Sequence, residues 1–273
     1  MSSKTKWVLV SVLVTLFLFT YRPDRTELLL DELELPKCDI TERLNTTITF
    51  YVDRGAFTPK LQNRLTAAIE YANQVLDNSC IPMRRTLDAM VSVDLNLSGQ
   101  EDEYGIYYRL LDAVGADKMV QHDLDMHHYY VIVIGDEHTI FDDGTTGIAD
   151  LNNDGSRSVL LSDVAKVHVL EHEFGHLAWA QHKDTWPFPS MEGTLKLAVE
   201  KKFHDKLKRY ARAYTCKNAG TVMSYEERIV PIYSSPLIHY RGAQCGDPKV
   251  ADNARVLREY AWEQLSKLNI REG

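Results

Sequence analysis

His172-Glu173-Phe174-Gly175-His176-Leu177-Ala178-Trp179-Ala180-Gln181-His182 is the stretch on which the reading of this chain turns. The i, i+4 spacing of His172 and His176 puts both imidazoles on one helix face, about one turn apart, as two ligands of a tetrahedral zinc require. Glu173 lies about 100° round the helix from His172. From there a carboxylate reaches a metal-bound water from the side and takes its proton, rather than filling a ligand position. A continuous helix would carry His182 about 240° round and roughly 9 Å along, so it joins the pair only if the chain turns back. Val167, Leu170, Phe174 and Leu177 make the buried stripe of this helix, which the sequence starts near Ser162-Asp163.

Further on, Gly220-Thr221-Val222-Met223-Ser224-Tyr225 is a short apolar turn with a methionine 41 residues after His182. The long histidine motif together with such a Met-turn resembles the metzincin clan of zinc endopeptidases. Tyr233-Ser234-Ser235-Pro236, Tyr240-Arg241-Gly242, Gly246 and Ala251-Asp252-Asn253-Ala254-Arg255 are similar to the segment after the Met-turn in bacterial reprolysin-like (adamalysin-related) peptidases, and the likeness runs from about Thr46 to the C-terminus. It implies His172, His176 and His182 as ligands of one catalytic Zn2+, Glu173 as general base and Met223 as the apolar floor under the metal. Tyr225 matches the tyrosine that, in the astacin and serralysin branches, ligates zinc or stabilises the oxyanion. The resemblance also implies a substrate strand lying antiparallel to an edge strand, here Gly147, Ile148 and Ala149, with specificity set by the wall from Ile229 to Tyr240.

One position departs from the family pattern: Trp179 stands where the long motif has glycine. A non-glycine residue in a left-handed turn costs about 1 to 2 kcal/mol. The gluzincin alternative would take its third ligand from a later glutamate, Glu192 or Glu200, but the Met-turn speaks for His182.

Upstream, Thr46 to Asp53 alternates and is rich in β-branched and aromatic residues, a strand. Thr58-Pro59 opens a helix with Leu61, Leu65, Ala68, Ile69, Ala72 and Leu76 on one stripe. Strands are expected at Met90 to Leu97 and Tyr129 to Ile134, a helix at Tyr107 to Val114, and two short strands within Gly144 to Ser162. A basic helix is expected from about Gly193 to Ala213 and a last one from Lys249 to Leu268. This βαβ opening predicts an α/β or α+β fold with a mixed sheet. With the resemblance it becomes a metzincin-like catalytic domain over 45–273, a mixed twisted sheet with an active-site helix and a C-terminal helical subdomain.

Trp7 to Tyr21 carries no charge, behind Lys4 and Lys6 and ahead of Arg22. As a helix it spans about 22 Å, short of a bilayer core of about 30 Å, and reads as a signal peptide or signal anchor over 1–21. No small-x-small cleavage pattern follows it, so both forms stay open. Residues 22–44 read as a stalk or short pro-segment. Either export route places the rest outside the cytoplasm, secreted or held at the membrane by that segment. Four cysteines fit that compartment. Locality pairs Cys38 with Cys80 and Cys216 with Cys245, while Pro36-Lys37-Cys38-Asp39 offers a cysteine-switch alternative resembling that of matrix metalloproteases.

With 31 Lys and Arg against 39 Asp and Glu, the formal charge of −8 gives no reason to expect a nucleic-acid partner. Asp150-Leu151-Asn152-Asn153-Asp154-Gly155 copies the opening of a calcium loop, which would bind Ca2+ through Asp150, Asn152 and Asp154, but Leu161 replaces the closing glutamate. A polar hairpin turn is the simpler reading. His168, one turn before His172, reads as a partly buried histidine, with support of the metal ligands as the alternative. The expected function is an extracytoplasmic zinc endopeptidase acting on a peptide or protein substrate. The alternatives are a catalytically silent exported binding protein of the same fold and a zinc hydrolase acting on a non-peptide bond.

Overall fold

Leu44–Asp53 (β1) has two apolar faces, because Ile48, Phe50 and Val52 point to one side of the sheet and Tyr51 to the other, all buried. Such a strand belongs in the middle of a sheet covered on both faces. In the computed structural model, which describes residues 32–125, 127–149, 157–183 and 199–272, it does lie there. The chain divides at Leu33, and Glu34–Gly273 forms one compact unit. The expected signal segment and the calcium loop from Asp150 to Asp154 lie outside the described residues. Among the described residues no helix is long and apolar enough to cross a membrane.

From β1 the chain passes through a helix, Pro59–Asn78 (α1), to Met83–Val93 (β2), parallel to β1. Thr58 caps α1, its Oγ1 accepting from Leu61 N at 3.2 Å, with Pro59 at the first turn. Two helices follow, Glu103–Val114 (α2) and Ala116–Leu124 (α3), then His128–Ile134 (β3), Gly147–Ile148 (β4) and Ser158–Ser162 (β5). The sheet order is β2-β1-β3-β5-β4, parallel except for β4, which pairs antiparallel with β5 and forms one edge. The fold is the mixed α/β arrangement expected.

Alternation along β1 and β3 sorts the core into two layers. Ile48, Phe50, Val131 and Val133 pack with α1 and with Leu170 and Phe174 of Val169–Leu177 (α4), while Tyr51, Tyr130 and Ile132 pack with α2 and α3. A third cluster joins the end of α1 to Val222, Met223 and Tyr233 and to the terminal helix Asn253–Glu272 (α5). Between α4 and α5 lie the short strands Thr215–Cys216 (β6) and Ala219–Gly220 (β7) and the hairpin of Ser235–Tyr240 (β8) with Ala243–Cys245 (β9). Both disulfides pair as locality predicted: Cys38 with Cys80, and Cys216 with Cys245. The cysteine-switch alternative falls, since Cys38 has no free thiol.

Five expected elements shift. The helix placed at Tyr107 to Val114 starts four residues earlier, at Glu103, where Asp102 Oδ1 accepts from Gly105 N at 2.8 Å. The strand placed at Met90 to Leu97 spans Met83–Val93, because its partner is β1 along the full length, and Asp53 Oδ1 takes the amide of Leu95 where the ladder ends. Its polar start, with exposed Arg84 and Thr86, hides an edge strand from pattern reading. The helix expected from Ser162-Asp163 begins at Val169. Ser162 and Asp163 make a turn instead, with Ser162 Oγ accepting from Val164 N and Asp163 N bound to Ile134 O. No helix occupies 199–213 beyond the single turn Lys201–Phe203. Backbone groups there are taken by distant partners, Ala213 N by Gln181 O and Tyr210 O by Asp252 N. The last helix starts four residues late, where Asp252 Oδ1 accepts from Arg255 N.

Glu101, just before α2, accepts from the amides of Ser98, Gly99 and Gln100 at 2.7, 3.1 and 3.2 Å and from His138 Nε2 at 3.2 Å. His138 Nδ1 takes the amide of Ile140, which leaves the proton on Nε2. This knot ties the loop before α2 to the turn that leads into β4. The Ser98 amide and the other donors, against burial, hold the Glu101 carboxyl at about 2. A carboxyl depressed on folding adds stability above its unfolded value of about 4.3, which is lost as pH falls toward the folded one. Glu101→Gln should therefore lower the urea midpoint at pH 6 and flatten its fall between about pH 4.3 and 2; an unchanged pH slope would remove this role.

Candidate metal centre and cleft

α4 is buried along nearly its whole length, from Val169 to His176. Such a helix can carry two histidines and two glutamates only if each polar group has a partner. The imidazoles are oriented from behind. His172 Nδ1 donates to Val222 O at 2.9 Å, and His176 Nδ1 donates to Ala180 O at 3.0 Å. Carbonyl oxygens only accept, so both Nδ1 atoms hold the ring proton and both Nε2 lone pairs point inward. They converge on His182 Nε2, 2.9 Å from His172 and 2.8 Å from His176.

His182 reaches that point because the chain reverses at the end of α4. Trp179 N donates to His176 O and Ala180 N to Gly175 O, the two bonds of a Schellman motif, with Trp179 at φ 71°. The left-handed turn implied by the family pattern is thus made by tryptophan. Its indole packs against Phe203, ring centroids 5.5 Å apart. Gly175 has no such substitute, since a Cβ there would come within 2.5 Å of Met223 Sδ and 2.9 Å of Tyr233 Oη. Met223 is wholly buried behind the helix.

The remaining predicted residues lie round the cluster. Glu173 is 6% exposed, and a Cβ on Gly147 would meet its Oε1 at 2.6 Å, so β4 crosses directly over the carboxylate. Burial, with a smaller contribution from Glu103, pushes the Glu173 carboxyl up to about 8. Tyr225 is 76% exposed, with its hydroxyl 2.9 Å from both ring nitrogens of His182. Its ring is open to solvent, but loss of hydration at the hydroxyl end beside the histidines, then Glu173 and Asp143, push that hydroxyl up to about 12. Gly147, Ile148, His168, Glu173, Tyr225 and Glu226 are among the residues lining an open cleft of 580 Å3 above the three histidines. Glu200 is not in it, being paired at 3.2 Å with Lys202, and Glu192 lies outside the described residues.

The three histidines form a group able to hold a metal ion. Burial lowers the pKa of all three, that of His182 to about 3 with His172 adding to the effect, so the rings are neutral. Two inward lone pairs then face a ring nitrogen that carries at most one proton. A cation bound at their meeting point satisfies all three, and an all-nitrogen set with room for a fourth ligand suits zinc.

Sequence reasoning missed Glu171 and Arg85, both essentially unexposed, which form a buried ion pair with Arg85 Nε 3.1 Å from Glu171 Oε2. Burial alone would lower the Arg85 pKa, but Glu171 and two tyrosines outweigh it and keep the guanidinium charged. An acid directly before the histidine motif was the available signal. Its partner, 86 residues away, was not readable.

If the indole of Trp179 offsets its backbone strain through Phe203, the two residues are coupled. Phe203→Ala should destabilise by about 3 kcal/mol in the unmodified protein and by about 1 kcal/mol less when Trp179→Gly is present. Urea unfolding of the four proteins measures this, and additive effects would remove the stacking account.

Neither a family model nor a curated protein matches the chain. Among solved structures, one of a chaperone–substrate complex superposes with a TM-score of 0.58 at 11% identity, over 81% of this chain and 34% of that chain. Metalloproteinase-II from Bacteroides fragilis gives a TM-score of 0.43 at 14% identity, over 83% of this chain and 56% of that chain. This chain thus spans less than two thirds of the length of either. The first likeness is one of fold alone, and the second is too loose to bear on function.

Proposed function

We propose that the protein is a zinc-dependent endopeptidase of metzincin type, acting outside the cytoplasm. The observation that carries this reading is the convergence of three neutral imidazoles beside a buried, proton-hungry glutamate, under an edge strand and an open cleft. His172, His176 and His182 would hold the ion. Zinc, when bound, supplies a Lewis acid that polarises a carbonyl and lowers the pKa of water toward about 7.

The chain's own groups do the rest. Glu173, buried beside the histidines and beneath β4, is positioned to accept a proton from water and pass it to the leaving amine. Tyr225 Oη stands at the mouth of the cluster as a hydrogen-bond donor for a developing oxyanion. Gly147 to Ala149, at the sheet edge, offers backbone groups to an extended peptide, and a side chain at position 147 would push Glu173 out of place. Two disulfides and the apolar segment before Arg22 fit an exported protein, either secreted or anchored. The ground for a silent binding protein would be Trp179, the one departure from the family pattern. That residue makes the turn and delivers His182, so no observation now favours it.

The test is cleavage of a diverse peptide library by the purified protein and by Glu173→Ala, with zinc content measured on both. Both should hold about one zinc per chain. Glu173→Ala should lose at least about a hundredfold in kcat, and chelation should abolish the activity of the unmodified protein until zinc is returned. Zinc in both with no cleavage by either would sink the peptidase assignment.

A further inference from the structure

Glu171 has no part in the chemistry above, yet it directly precedes His172 and its side chain is wholly buried. Its two oxygens meet groups from two distant parts of the chain. Arg85, on β2, approaches from the sheet with Nε 3.1 Å from Oε2 and Nη2 3.4 Å from Oε1. Tyr233, in the wall after the Met-turn, places its hydroxyl 2.8 Å from Oε1 and 2.9 Å from the Glu171 carbonyl oxygen. Arg85 is in turn held by Thr46 Oγ1 at 3.3 Å and stacked over the ring of Phe174 at 4.6 Å.

The Tyr233 contact closes a ring through the histidine cluster. His172 Nδ1 donates to Val222 O, and Val222 N donates to Ile232 O. Ile232 is bonded to Tyr233, which returns through its hydroxyl to Glu171 and so to His172. The wall cannot drift within this ring, because Asn78 Nδ2 donates to Pro231 O at 2.9 Å and Tyr233 N to Ser79 Oγ at 2.8 Å. A buried ion pair is poor evidence of stability, since apolar residues of equal volume commonly serve as well. One whose members join the sheet, the active-site helix and the Met-turn wall fixes geometry instead.

We propose that Arg85, Glu171 and Tyr233 form a buried brace that sets the spacing between α4 and the Met-turn wall and thereby the aim of His172 at the metal. Tyr233 and Glu171 are positioning residues in this scheme. It rests on the metal-centre reading of the histidine cluster, and for activity on the peptidase reading.

The experiment uses the full-length protein and two variants. Tyr233→Phe removes one hydroxyl and keeps the ring. Arg85→Met with Glu171→Leu removes both charges at once and leaves no lone buried ion. Zinc affinity is read by competition with a chromophoric chelator, ligand geometry by the visible spectrum of the cobalt-loaded protein, and folding by thermal denaturation. Tyr233→Phe should weaken zinc binding by about ten- to a hundredfold and alter the cobalt spectrum. It should lower kcat while KM stays within about twofold. The double variant should fold and show the same loss of affinity. Unchanged zinc affinity and cobalt spectrum in Tyr233→Phe, with only a lower Tm, would overturn the brace, whatever the double variant does. A parent protein that binds zinc without cleaving peptides sinks the peptidase reading alone, and the affinity comparison still decides the brace. A parent that binds neither metal overturns both.

Discussion

Lone pairs on neighbouring nitrogens repel, and two of them, on His172 and His176 Nε2, are aimed at His182 Nε2 from 2.9 and 2.8 Å. Three neutral imidazoles cannot satisfy both contacts with the protons they carry. The surrounding structure must therefore hold the rings in place. Carbonyls of Val222 and Ala180 fix two of them from behind, and each carbonyl belongs to a different backbone reversal. The Ala180 carbonyl is placed by the turn at the end of α4, and the Val222 carbonyl by the Met-turn, whose approach to the helix depends on the missing side chain of Gly175. Several tight features of the protein follow from this one convergence.

The sheet supplies the fixed reference for those reversals. β1 and β3 are apolar on both faces, so neither can slip by one residue without moving a whole row of side chains out of its layer. Phe174 projects from α4 onto one of those layers, with its ring 5.2 Å from that of Tyr129. The helix thus meets the sheet through an apolar contact and through the charged one at Arg85. Apolar burial is strong and non-directional, whereas a hydrogen-bonded ion pair is directional. The second kind of contact adds a directional restraint on the rotation of a short helix about its own axis, which decides where His172 and Glu173 point.

Much of this was legible in the chain, and the physical reason differs between elements. The alternation of β1, the apolar stripe of α1 and the i, i+4 histidines are local signals; β1 and α1 lie where their patterns placed them, and the histidines lie on a helix that starts at Val169 rather than near Ser162. The disulfides were legible because each joins cysteines that flank one structural unit. Edge strand β2 was misplaced because its exposed start carries no apolar alternation. The helix expected from Gly193 to Ala213 fails over its described part because long-range backbone bonds to Gln181 and Asp252 outweigh local propensity. The Arg85–Glu171–Tyr233 contacts join residues 62 and 86 positions apart, and no local pattern encodes such a distance.

Trp179 was the one position at which the sequence argued against its own motif, and it is not alone in the fold. α1 ends in the same way, with Cys80 N bonded to Asp77 O, Ile81 N to Leu76 O, and Cys80 at φ 52°. Both are Schellman motifs with the glycine position filled by a residue that strains there. In each case the side chain makes a link that glycine could not. Cys80 is bonded to Cys38, and Trp179 packs on Phe203. A cost of about 1 to 2 kcal/mol for the left-handed backbone is of the same order as an aromatic contact with its buried area, and smaller than the usual contribution of a disulfide. The end of a helix is where the chain must be redirected, and at both of these ends strain is traded for an anchor that holds the redirected segment. At α4 that segment carries His182 to the cluster, so the residue that seemed to threaten the third ligand is the one that secures its approach.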